Sequence, residues 1–106
     1  EEGKMLTIFH KKRERNKKLV KMKKSTVLNI TGKLLCEICG FDFEAKYGEL
    51  GKGYIECHHN KPISSLNENE TIKLSDLSIL CSNCHRMIHR IRPWKSVLEM
   101  KEIINL

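Results

Sequence analysis

The stretch Asp76-Leu77-Ser78-Ile79-Leu80-Cys81-Ser82-Asn83-Cys84-His85-Arg86-Met87-Ile88-His89 decides how this chain is read. Leu77 to Leu80 is apolar and short enough for a strand. Ser82 then precedes a helix that carries Cys84, His85 and His89, and Pro93 ends it. Two histidines four residues apart on a helix share one face and can grip one metal ion together. Cys81 and Cys84, with two residues between them, form a knuckle in which two thiolates face a second ion.

Working outward, a second pair with the same spacing appears upstream in Cys36-Glu37-Ile38-Cys39-Gly40, a tight turn relieved by the glycine. Four thiolates from two knuckles are what a tetrahedral structural zinc prefers. The 41 residues between the knuckles make a large loop whose base the zinc would hold rigid. Cys57 stands apart, beside Ile55 in a segment that reads as a strand, and a buried apolar role fits it better than a ligand role. Five cysteines in a chain of 106 residues suit metal binding in a reducing compartment better than disulfides. A chain this short builds one small domain with a modest core, so a metal cross-link is physically apt. No run approaches a membrane span and the start lacks a signal peptide, from which we expect a soluble cytoplasmic protein. The first residue is Glu1, which points to the C-terminal part of a longer protein.

The net charge of +7 is concentrated at one end. Residues 1–33 carry 11 Lys and Arg against 3 acids, while residues 34–106 carry 9 against 10. Nine of the fourteen residues from Lys11 to Lys24 are basic, a density that repels itself unless it faces a polyanion or solvent. Lys11, Lys12, Arg13, Arg15, Lys17, Lys18 and Lys21 are the candidate nucleic-acid contacts, although a lone basic run also fits a solvated helix face.

Apolar spacing over residues 4–31, from Met5 and Ile8 to Val27 and Leu28, predicts one long helix ended by Gly32. Glycines 48, 51 and 53 mark a loop, and Tyr54 to His59 reads as a short strand. Residues 64–71 form a polar connection. A last amphipathic helix is predicted from about Ser96 to Ile104, with Val97, Leu98, Ile103 and Ile104 read as core packing rather than a dimer seam. We thus divide the chain into a basic N-terminal helix (1–33) and a second unit (34–106). His58 and His59 are adjacent on a strand, so their side chains point to opposite faces. One of them can complete a metal site with His85 and His89, and the other can take a proton from water at physiological pH.

With these residues in view, the pattern resembles the HNH endonuclease family in its zinc-knuckle variant. More narrowly, Cys36 to Phe43, Gly53 to Pro62 and Leu74 to Trp94 resemble the nuclease domains of McrA-like restriction endonucleases. The resemblance implies an α+β, ββα-metal fold with a structural zinc site made of four cysteines, preceded by a long basic helix and followed by a short one. It implies His59 as the general base and His58, His85 and His89 as ligands of a catalytic divalent ion, which could be Mg2+, Mn2+, Ni2+ or Zn2+. Asp76 stands where the family has its middle asparagine, which holds the base-bearing loop, and an ionised carboxylate accepts but does not donate. Arg86 and Arg90, on the same helix as the histidines, are candidate phosphate contacts.

The expected function is metal-dependent hydrolysis of double-stranded DNA by the cleavage domain of a restriction enzyme. Any sensitivity to base modification would reside in an upstream recognition domain of the same full-length chain, and a homodimer would serve cleavage of both strands. The alternative is a zinc-stapled DNA-binding module without catalysis, which shares knuckles and a basic helix with nucleases. An RNA-directed nuclease fits less well, since six aromatic residues (one Trp, two Tyr, three Phe) leave few platforms for stacking bases.

Overall fold

A computed structural model describes residues 2–61 and 72–105, with side chains described for residue 14 and from residue 16 onward within those ranges. The predicted polar connection at 64–71 lies outside the described residues. The elements run α1 (Glu2–Thr31), α2 (Phe43–Tyr47), β1 (Glu56–His59), β2 (Leu77–Leu80), α3 (Ser82–Arg90) and α4 (Val97–Ile104), with 3-10 turns at Gly48–Gly51 and Leu74–Asp76.

Helix α1 is rich in lysine, arginine, leucine and methionine and has no proline, and such residues lose little rotamer freedom in a helix. It ends at Gly32, whose N–H donates to the Leu28 carbonyl. Thr31 Oγ1 donates to the Val27 carbonyl and also accepts from the Lys33 amide. In its C-terminal half, Val27 packs on Leu34, Ile55 and Ile79.

The first knuckle is closed by backbone bonds from the Cys36 amide to the Phe41 carbonyl and from the Gly40 amide back to the Cys36 carbonyl. Gly40 sits at φ +78°, where a Cβ would be strained. Glu37 laces this knuckle to β2 twice, its amide donating to the Ile79 carbonyl and its carboxylate accepting from the Ile79 amide at 2.6 Å. Asp42 caps α2 through bonds from the Glu44 and Ala45 amides. The chain then turns through Gly51, where a Cβ would collide with the Phe43 carbonyl.

Strands β1 and β2 pair antiparallel with His58 opposite Ser78 and His59 opposite Leu77. The ladder starts at Glu56 rather than at Tyr54 as expected, because the Tyr54 amide is spent closing a turn onto the Gly51 carbonyl. The main core gathers Cys36, Ile38, Leu80, Cys81, Cys84, Ile88 and Met100, flanked by Phe41, Phe43, Ile91 and Val97. Phe43 also touches the smaller Leu34, Ile55 and Ile79 cluster, on which Cys57 is half-buried.

Helix α4 carries a reciprocal cap, with Ser96 Oγ accepting from the Glu99 amide and the Glu99 carboxylate accepting from the Ser96 amide. Val97 and Met100 pack into the core as amphipathic spacing requires. Leu98, Ile103 and Ile104 do not, being exposed at 66, 48 and 44%. An eight-residue helix lying on a small core covers only one stripe, so the reading of all four apolar residues as core packing holds for Val97 alone.

Candidate metal centres and the histidine-bearing strand

Helix α3 begins at Cys81, its N-cap, whose sulfur accepts from the Cys84 amide. The first knuckle repeats this geometry, with Cys36 Sγ accepting from the Cys39 amide. The four sulfurs of Cys36, Cys39, Cys81 and Cys84 lie within 4.8 Å of one another, three of the residues being buried. No disulfide joins them. Cys39 Sγ and Cys81 Sγ are 3.7 Å apart, and sulfurs about 2.3 Å from a tetrahedral zinc would be separated by about 3.8 Å along each edge. Burial pushes the Cys84 thiol well up, and its sulfur neighbours push the same way. At Cys36 burial also acts upward, but amide hydrogen bonds outweigh it and bring the thiol below its usual value. A crowded set of thiols that repel as thiolates, with amides aimed at two sulfurs, fits a zinc ion.

The residue after Cys84 belongs to a different cluster. His85 and His89, one turn apart on α3, meet His58 from β1, with donor atoms within 4.8 Å of one another. His58 is 1% exposed, and its Nδ1 has no hydrogen-bond partner among the described residues. A buried ring nitrogen left without a partner is costly, and an ion among three imidazoles would relieve it. Burial first, then His89, His85 and His59, push the His58 pKa down to about 4. Burial likewise lowers His89, assisted by His85 and Arg92. Both are therefore neutral at physiological pH, the form that ligates metal. Trp94 stacks on His58 at 5.7 Å and meets His89 edge-on at 5.5 Å, forming an apolar wall.

Two residues before His58, on the same face of β1, Glu56 receives His85 Nδ1 at 2.8 Å on one carboxylate oxygen. The other oxygen accepts from Ser82 Oγ and the Tyr54 hydroxyl. Burial works to raise the Glu56 carboxyl, but these three hydrogen bonds hold it below the usual range. With Nδ1 so engaged, Nε2 of His85 is the nitrogen left for an ion.

His59 faces away from the trio. Its Nε2 lies 2.9 Å from Asn16 Oδ1 on α1, and it lines a shallow pocket with Lys61, Ile72 and Asp76. Burial, then His85, lower its pKa, so this imidazole too is neutral at physiological pH. Asp76 holds the ends of the two strands together, its carbonyl accepting from the Asn60 amide at 2.8 Å. Its carboxylate accepts from the Lys73 amide. Ser78 Oγ donates to Asn60 Oδ1 and ties the same corner.

Among the basic candidates, Lys17, Lys18, Lys21, Arg86 and Arg90 are exposed. Lys11, Lys12, Arg13 and Arg15 lie on α1, and their side chains fall outside the described residues. Sequence reasoning passed over Glu56, Trp94 and Asn16. The alternation of a strand could have flagged Glu56, which shares the face of His58. Trp94 and Asn16 reach the site through tertiary placement, for which the sequence carries no local signal. Among the described residues, no helix is long and apolar enough to cross a membrane.

Known proteins share this pattern. A family model described as HNH endonuclease matches residues 36–90, from the first knuckle to the end of α3. The chain is 36% identical over 66 residues to the type IV methyl-directed restriction enzyme EcoKMcrA of Escherichia coli (strain K12). That match covers 62% of this chain and 22% of the relative, so the chain spans less than a quarter of the protein it matches. No solved structure gives a significant match.

Proposed function

Since the chain belongs to the HNH endonuclease family, we propose that it is a metal-dependent nuclease domain that hydrolyses phosphodiester bonds of double-stranded DNA. In this reading residues 34–106 carry the chemistry and the basic helix 1–33 binds backbone. The observation that carries the reading is the convergence of three imidazoles on one side of β1 with His59 on the other. His58, His85 and His89 would hold a divalent ion, which when bound neutralises charge on the phosphate and on the leaving oxygen. His59 accepts a proton from water as its oxygen bonds to phosphorus. The bond from phosphorus to the 3′ oxygen breaks, and that oxygen takes a proton from solvent water to become a hydroxyl. Asp76 keeps the His59 end of β1 tied to the start of β2. Arg86 and Arg90, exposed on α3, and the lysines of α1 contact phosphates without reading sequence. The similarity to a methyl-directed restriction enzyme supports a role as the cleavage part of a longer restriction protein, with recognition elsewhere in that protein.

The test is cleavage of supercoiled plasmid with magnesium, manganese, nickel or zinc added separately. Wild type should nick or linearise the plasmid, and His59→Ala should lose about 100-fold or more in rate while still retarding DNA. If neither protein cuts with any ion while both retard DNA, the chain is a zinc-stapled binding module.

A further inference from the structure

A helix that served only to bind phosphates would have no reason to touch the imidazole assigned as base, yet α1 does. Between Lys11 and Lys24, Asn16 is the single uncharged polar residue in a run of cations. It is half-buried while its neighbours Lys17 and Lys18 are exposed, so this turn of α1 presents its amide inward and its charge outward. The amide oxygen lies 2.9 Å from His59 Nε2 across 43 residues of sequence.

An amide oxygen only accepts, so the ring nitrogen facing it must carry the hydrogen. Nε2–H is thereby fixed, and the lone pair that can take a proton is left on Nδ1. A carboxylate in the same place would fix the same tautomer, and the amide does so without adding a charge. Asp76, at the position of the family's middle asparagine, uses its carboxylate on the Lys73 amide and its carbonyl on the Asn60 amide. It holds the strand ends, and the ring itself is held from α1.

Resting on the reading of His59 as base, we infer that Asn16 is a positioning residue that fixes the Nε2–H tautomer and ring orientation of His59, so that the basic helix completes the catalytic site. Contact with the DNA backbone and alignment of the base then reside on one turn of one helix, through Lys17 and Lys18 outward and Asn16 inward.

Three forms of the full 106-residue chain, loaded with zinc, test this: wild type, Asn16→Leu and Asn16→Asp. The leucine matches asparagine in size but cannot accept, and the aspartate keeps an acceptor oxygen. Nitrogen-15 NMR of the His59 ring should report Nε2–H in wild type and Asn16→Asp, and a mixture of tautomers in Asn16→Leu. In plasmid cleavage, Asn16→Leu should lower kcat about 10-fold to 100-fold with KM within about twofold, and Asn16→Asp should recover most of the loss. An Nδ1–H tautomer in wild type overturns the inference, as does an unchanged tautomer in Asn16→Leu. A loss in KM alone would make Asn16 a DNA contact and overturn it equally. If wild type does not cleave but its tautomer still responds to Asn16→Leu, the nuclease reading fails and the positioning contact stands.

Discussion

Helix α3 serves two donor clusters with consecutive residues, and the clusters differ in almost every respect. Cys84 turns into the core beside Cys36, Cys81, Ile38 and Ile88, while His85 turns toward β1 and His58. The cysteine cluster offers four protein donors, enough to close a tetrahedron. The histidine cluster offers three, graded from buried His58 through half-buried His85 to exposed His89, which leaves room for water or substrate. Closed sites hold structure and open sites can do chemistry. The contrast teaches that one nine-residue helix can place a closed donor cluster at its N-terminus and an open one starting at the very next residue.

The largest effect expected from this contrast falls on the closed cluster. Cys81→Ser removes a donor, the N-cap sulfur of α3 and part of the main core together. Structural zinc contributes about 10 kcal/mol or more in small zinc domains, comparable with the whole stability of a domain this size, about 5–15 kcal/mol. The variant, or wild type treated with a strong chelator, should lose its cooperative thermal transition by calorimetry. A Tm within about 5 °C of wild type would break the distinction between the clusters, because the cysteines would then not be holding the fold.

A smaller and different effect belongs to the open cluster. His89 is exposed, so His89→Ala should cost no more than about 0.5 kcal/mol of stability. Removing a ligand outright should weaken manganese or nickel binding by more than about 100-fold, measured by titration calorimetry on zinc-loaded protein, and plasmid cleavage should fall with it. If His89→Ala unfolds the chain as Cys81→Ser does, both clusters are structural.

The two clusters also differ in how far they could be read beforehand. Each knuckle is a local motif whose turn and spacing act within a few residues, and α4 begins where the Ser96 cap places it, whereas α3 starts at Ser82 instead of after it, because the Cys81 sulfur supplies the cap. The opposite orientation of His58 and His59 follows from strand alternation, but which of them meets His85 and His89 does not. That depends on which face of β1 packs against α3, a tertiary outcome. Helix α2 went unread because five residues are too few for a period to register, although Asp42 is a good cap. The exposure of Leu98, Ile103 and Ile104 was hidden for the converse reason, since apolar periodicity says that a face exists and not how much of it the core can cover. Asn16, distant in sequence from the ring it touches, and Trp94, beyond the end of α3, had no local signature at all.

The finest test concerns what distinguishes the open cluster from three histidines that merely happen to meet. Glu56 fixes His85 by accepting from its Nδ1, and is itself fixed by Ser82 and Tyr54. Glu56→Gln preserves size and can still offer an oxygen to His85, with its amide group turned to the two hydroxyls, so the fold and ring orientation should survive. The negative charge, which makes the imidazole a stronger donor, is lost. Outer-shell partners of this kind typically contribute about 10-fold to 100-fold in metal affinity, and glutamine should fall near the lower end of that range while Glu56→Ala, which also frees the ring, should reach the upper end. Titration calorimetry with manganese or nickel separates the two variants. Equal loss in both would assign the effect to charge alone, and no loss in either would mean that the His85–Glu56 pair only braces β1 against α3, leaving the three imidazoles without the outer support that a working metal site carries.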